Sequence, residues 1–265
     1  MNKRYVGAIV LAPFLIFLFM GGIYLKLLLG VVALMGMYEF YSVVKNKGIN
    51  CFYPLGYLAC VIYFVFLNNM YQSNNLMYLV IALTFIVMCV PVINSKYNFI
   101  DSAVTVVGFI YIAIFFSFIS LLEQKQYGDY LIWLIFIIAW LGDTSAYYSG
   151  RMFGKRKLAP KLSPHKTIEG SIGGLIGAII GSLLFGSIIS KFGVNINIYH
   201  YAIIGLLGGV FGQIGDLVAS AIKRYVKVKD YSNLIPGHGG ILDRFDSILF
   251  VSVVVFYYVT FIIRL

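Results

Sequence analysis

Apolar stretches about as long as a bilayer is thick recur along this chain of 265 residues, and nothing else in it constrains the fold so tightly. A helix needs roughly 20 such residues to cross the hydrocarbon core. Candidate spans run about 5–23, 25–44, 52–68, 76–94, 102–122, 129–149, 169–190, 200–222 and 247–264. Lipid offers backbone groups no partners, so each span is predicted to be helical. The fold class is therefore all-α: a polytopic integral membrane protein of about nine transmembrane helices. The connections leave no room for a soluble domain, and residues 1–265 read as a single integral membrane domain. The first span has a basic start but no small-residue cleavage site behind it, so it reads as a retained helix rather than a signal peptide.

Charge makes up only 11% of the chain against 61% hydrophobic residues. Soluble domains carry about a quarter. A soluble enzyme, a disordered tail protein and a disulfide-stapled secreted domain are excluded. Cys51, Cys60 and Cys89 are odd in number, lie in apolar stretches and show no metal spacing, so they read as small core residues.

The scarce charge is lopsided, with 20 Lys and Arg against 10 Asp and Glu. With the N-terminus in the cytoplasm, Lys3, Arg4, Lys45, Lys47, Lys96, the cluster from Arg151 to Lys166, and Lys223, Arg224, Lys227, Lys229 and Arg244 fall on the cytoplasmic side. Only Lys26, Lys125, Lys191 and Arg264 fall on the other. This split follows the positive-inside rule and predicts a multi-pass protein of the cell (inner) membrane with its active site facing the cytoplasm. Most of the basic excess sits in 151–166 and 223–244. Asp143, Glu169, Asp216, Asp230, Asp243 and Asp246 lie in or beside those segments. Residues 1–125 therefore read as scaffold helices, in which Glu39 is the one intramembrane acid. Residues 129–265 read as the catalytic helices and loops.

Two spans carry glycine seams: Gly173, Gly177 and Gly181 in the seventh, and Gly205, Gly208, Gly209, Gly212 and Gly215 in the eighth. Small residues let helices approach closely in lipid, so plain packing is the reading for most of them. Gly212, Asp216 and Ser220 share one helical face, which turns Asp216 into the bundle. An acid deep in a span costs roughly 2.5–3.5 kcal/mol on insertion scales and marks function or a buried ion pair. Asp143 invites the same argument nearer the interface.

Downstream, Pro236-Gly237-His238-Gly239-Gly240 leads into Asp243-Arg244-Phe245-Asp246. The glycines could expose backbone amides to phosphate oxygens. Asp243 and Asp246 share a face at a helix start, where they suit the helix dipole. With Asp216 they also form an oxygen-only set suited to Mg²⁺ and phosphates. His238 reads equally as an acid–base group or a hydrogen-bonded turn residue. Upstream, Gly150 to Lys155 is one residue short of a Walker A loop, which is rejected. Ser163-Pro164 predicts an N-cap and first-turn proline. Lys155 to Lys157 read as topology determinants, while Lys166, beside Thr167 and Glu169 at a helix entrance, is a candidate phosphate ligand.

The run Ser220-x-Ile222-Lys223-Arg224-x4-Lys229-Asp230-x-Ser232-x2-Ile235-Pro236-x-His238-Gly239-Gly240-Ile241-x-Asp243-Arg244-Phe245-Asp246 resembles the signature of phosphatidate cytidylyltransferases, the CDP-diacylglycerol synthases. Asp143-Thr144-x-Ala146-Tyr147 and Ser163-Pro164-x-Lys166-Thr167-x-Glu169-Gly170 resemble the same family's upstream motif. Ala219, Ser145 and Ile168 depart from the family pattern. The resemblance implies a nucleotidyltransferase of phospholipid biosynthesis that transfers CMP from CTP to phosphatidic acid, giving CDP-diacylglycerol and pyrophosphate. It implies Mg²⁺ on Asp216, Asp243 and Asp246, with potassium sharing the carboxylate site. Lys223, Arg224 and Arg244 would neutralise phosphate or pyrophosphate, and Asp143, Lys166, Thr167, Ser220, Lys229, Asp230, Gly237, His238, Gly239 and Gly240 would contact substrate. Partners are CTP, phosphatidic acid and the bilayer, with no nucleic acid; a homodimer is allowed by the family and the seams. The rivals are a CTP-dependent lipid kinase of dolichol-kinase type, which moves the γ-phosphate, and a secondary transporter. Against transport stand the crowding of polar groups on one side and the lack of an inverted repeat.

Overall fold

The computed structural model describes residues 14–68, 75–235, 237 and 239–265. Among them the chain is helical almost throughout. In chain order the elements are α1 Gly22–Val44, α2 Tyr53–Val65, α3 Asn75–Ile93, α4 Phe99–Gly108, α5 Phe115–Glu123, α6 Gly128–Phe153, a hairpin of β1 Lys157–Ala159 and β2 Ser163–Thr167, then α7 Ile168–Ile189, α8 Ile198–Tyr225 and α9 Leu242–Tyr257. A π-helical turn, Phe109–Ile114, joins α4 to α5 into one span. Seven described helical stretches are long and apolar enough to cross a membrane. The third expected span is shorter: α2 has 13 residues, opening on Phe52 and Pro54 and ending at Phe66. Residues 5–13 of the first expected span, with Lys3 and Arg4 before them, lie outside the described residues.

The chain divides into two compact units: residues 1–120 with 225–244, and residues 121–224 with 245–265. In the first, side-chain hydrogen bonds replace the hydrophobic effect that lipid cannot supply between helices. Asn98 caps α4 by accepting from Ile100 N and Asp101 N, and Asp101 Oδ2 returns the favour to Asn98 N at 2.8 Å. Asp101 Oδ1 also accepts from Asn50 N at 2.6 Å, while Phe52 N donates to Thr105 Oγ1 at 2.9 Å. These bonds pin the α1–α2 turn against α4. Tyr41 completes the corner by donating to Thr105 O at 2.7 Å. Its ring leaves room only for glycine at positions 56 and 108. By contrast α3 buries only Leu83 and Val87, and Val92 and Ile93 are 87% and 85% exposed, as suits a lipid-facing helix.

In the second unit the glycine seams do what their spacing predicts. A side chain at Gly173 or Gly177 would run into Ser149 or Ser145, and one at Gly181 into Leu141, so α7 lies against α6 with almost no gap. The α8 seam has two faces. Gly205 and Gly209 meet Ala178 on α7, whereas Gly208 and Gly212 meet Val251 and Gly215 meets Asp246 and Phe250 on α9. These glycines are occupied within one chain. They therefore lend no weight to a homodimer.

The hairpin corrects one expectation. Ser163 and Pro164 do not start a helix; they belong to β2, which pairs antiparallel with β1 through Lys157 and Thr167 and through Ala159 and Ser163. Thr167 is the cap, its Oγ1 accepting from Gly170 N at 3.1 Å, and α7 begins at Ile168. Glu169 holds the approach by accepting from Lys155 N at 3.1 Å and Arg156 N at 3.2 Å. The Ser-Pro signal is local, and strand pairing across the loop overrides it.

Candidate active site

In the second unit α6, β2, α7 and α8 enclose a cavity of about 450 Å³. Its polar lining comes from Asp143, Arg151, His165, Lys166, Thr167, Ser171, Gln213 and Asp216. The cavity is possible because the walls are thin. Gly150 and Gly170 line it, and a Cβ at Gly150 would stand 3.0 Å from Thr167 Oγ1. Its floor is tied by Ser171 and Gln213, which exchange two bonds: Ser171 Oγ donates to Gln213 Oε1, and Gln213 Nε2 donates to Ser171 O at 3.0 Å.

At the end of β2, Lys166 Nζ forms an ion pair with Asp216 Oδ2; the two side chains are 27% and 29% exposed. The ion pair weighed for Asp216 is thus present, half-buried and lining the cavity. Ser220 Oγ stands 3.5 Å from Asp216 Oδ1, at the outer edge of hydrogen bonding. Asp246, on α9, lies near enough to Asp216, Lys223 and Asp143 to feel their charge, and Oδ1 accepts from Ser247 N at 2.8 Å. Ser247 Oγ is 3.4 Å from Asp143 Oδ2. Arg224 Nε donates to Leu162 O at 3.2 Å, reaching the hairpin turn. The residues that the sequence singles out in this half are therefore neighbours: Asp143, Lys166, Thr167 and Asp216 line one wall, and Ser220, Lys223 and Asp246 stand beside it.

The remaining candidates lie in the first unit, on the loop from Tyr225 into α9. Lys229 and Asp230 are exposed. Ile235 and Gly239 form a bridge with Ile235 N donating to Gly239 O at 2.9 Å, and Gly237 and Gly239 have φ of 78° and 80°, which a side chain would strain. Asp243 Oδ2 accepts from Tyr231 N at 2.8 Å and Gly240 N at 3.0 Å, which closes the loop on itself. Arg244 is exposed at the start of α9. His238 lies outside the described residues.

The sequence assigns no site role to Arg151, His165, Ser171 and Gln213, all lining the cavity, and it marks Tyr147 only as a motif position. Their signal is weak: Arg151 and His165 stand at unspecified positions of a basic segment, and Gln213 lies among glycines. As to metal, no group of three or more His, Cys, Asp and Glu among the described residues forms a ready cage. Mg²⁺ does not require one, because it takes one or two carboxylates and completes its shell with water and phosphate oxygens. Asp216 and Asp246 are half-buried oxygen donors of one sign held close together, and they fit that demand.

Comparison with known proteins gives a concordant picture. The model of the Cytidylyltransferase family matches residues 2–262. A phosphatidate cytidylyltransferase of Staphylococcus haemolyticus (strain JCSC1435) is 37% identical over 258 residues, covering 95% of this chain and 96% of that relative. The proteins of the same name from Staphylococcus aureus (strain COL) and Staphylococcus epidermidis (strain ATCC 35984) are 35% and 36% identical, each over 95% of this chain and 96% of the relative.

Proposed function

Since the chain belongs to the cytidylyltransferase family, we propose that it is a Mg²⁺-dependent phosphatidate cytidylyltransferase of the cell membrane. A phosphate oxygen of phosphatidic acid attacks the α-phosphorus of CTP, the α–β bridging bond breaks, and CDP-diacylglycerol and pyrophosphate result. The observation that carries this reading is the cavity that Lys166 and Arg151 line together with Asp216 and Asp143. Cations for two polyanionic substrates and carboxylates for their counter-ion occur together there.

The chain's residues have simple tasks in such a reaction. The attacking phosphate has a second pKa near 6 and is largely ionised at neutral pH, so no strong protein base is needed. What remains is alignment and charge neutralisation. Asp216 and Asp246 would hold Mg²⁺, whose contribution is to offset charge on the CTP phosphates. Lys166 can exchange Asp216 for a phosphate oxygen, since an ammonium on a flexible stem rotates readily between acceptors. Lys223, Arg224 and Arg151 supply further positive charge, and Thr167 fixes the β2–α7 corner that carries Lys166. Lys229, on the first unit's loop, is assigned to CTP affinity. The basic-residue asymmetry supports a cytoplasmic N-terminus and active site.

The decisive experiment incubates purified protein with Mg²⁺, phosphatidic acid and CTP labelled at the α-phosphate. Label entering a chloroform-soluble product supports the transferase. Label left in CDP would indicate the lipid kinase, and no turnover would return transport to consideration; family membership favours neither.

A further inference from the structure

Glu39 stands far from the motif in sequence, yet in the first unit it holds that motif's loop. It is 1% exposed. Oε1 accepts from Ile241 N at 2.8 Å and from the Ser232 hydroxyl at 2.6 Å, and Oε2 accepts from Leu242 N at 2.9 Å. Gly240 lies so close that an added Cβ would stand 2.6 Å from both carboxylate oxygens. On the loop's other side Asp243 Oδ2 takes Tyr231 N and Gly240 N. Two carboxylates therefore clamp both ends of the segment 231–242, directly after Lys229 and Asp230. An ionised carboxylate is an acceptor only, and Glu39 faces donors alone in these bonds. A glutamine there would turn an NH₂ group toward a backbone N–H.

We propose that Glu39 is a positioning residue for this loop: by fixing Ser232, Ile241 and Leu242 it sets the conformation in which Lys229 and Asp230 meet CTP, without touching substrate itself. The CTP part rests on the transferase reading above; the clamp itself does not. An acid in an apolar span is costly to keep, and the three donors explain its presence.

The test uses the full-length protein in lipid nanodiscs. Glu39→Gln is expected to raise the KM for CTP about tenfold or more while the KM for phosphatidic acid stays within about twofold. Amide hydrogen exchange across 231–242 should quicken about tenfold in the same variant. Ser232→Ala, which removes one bond and keeps the carboxylate, should move both readouts the same way by a smaller factor. Loss of kcat with both KM values unchanged, or exchange like wild type, would overturn the proposal. Should Glu39→Gln fail to accumulate, Ser232→Ala decides alone: no change in CTP KM and no change in exchange refutes the clamp. If the wild type puts no α-label into lipid, the transferase reading fails, and exchange still decides on the clamp.

Discussion

Asp216 sits at the crossing of three arguments. It lies on the small-residue face of α8, pairs with Lys166, and shares its surroundings with Asp246. Asp216→Asn and Asp246→Asn keep size and shape while removing charge, so each should cut the rate of CDP-diacylglycerol formation by at least about 100-fold with normal membrane insertion. Near-wild-type turnover in either would remove that residue from the metal site. Asp243→Asn separates two roles, because its Oδ2 closes the loop through Tyr231 N and Gly240 N. A loss that excess Mg²⁺ relieves would mark a ligand; a loss indifferent to Mg²⁺ would mark the turn. Lys229→Ala is expected to raise the KM for CTP about tenfold, with kcat little changed. At this scale much was legible. Asp143, Lys166 and Asp216 stand out by type and position, whereas Arg151 and the acceptor role of Glu39 do not. The partners of Glu39 lie some two hundred positions away, and no local pattern encodes that distance.

Helix pairs show where a pattern read from spacing succeeds and where it stops. The i, i+4 glycines of α7 and α8 announce close approach, and α6, α7 and α9 fill those faces. Which helix fills which face is a matter of topology. Gly177→Leu would force α7 away from Ser145 on α6, and overpacking of this kind costs roughly 1–3 kcal/mol or more. A lower melting temperature in detergent and reduced yield are expected, and an unchanged melting curve would contradict the packing. The hairpin departs from expectation because Ser163-Pro164 carries a strong local helix-start signal, while the bonds that place β2 come from β1, whose approach Glu169 holds through Lys155 N. Thr167→Val removes the cap on Gly170 N and should lower activity more than stability, since a cap contributes only about 1 kcal/mol and Lys166 is its neighbour.

For the whole molecule, the testable property is sidedness. Lys161→Cys and Lys191→Cys place thiols in loops that the charge asymmetry puts on opposite sides. In intact cells a membrane-impermeant maleimide should label Lys191→Cys only, and labelling of Lys161→Cys would reverse the orientation. Of the native thiols, Cys51 and Cys60 are buried, and burial pushes the Cys51 thiol up to about 12, far from the thiolate that reacts; Cys89, half-buried on α3, is replaced by Ser in both variants. Composition and spacing were enough for the solvent, the helical class and most spans, because lipid punishes every unpaired backbone group and every stray charge. Those penalties act residue by residue, so composition and spacing record them. Tertiary structure alone decided that Lys166 pairs with Asp216, that a strand hairpin precedes α7, and that Glu39 holds the loop before α9. Each of these depends on two distant segments meeting. The free energy of such a meeting belongs to the pair and leaves no periodic trace in either segment.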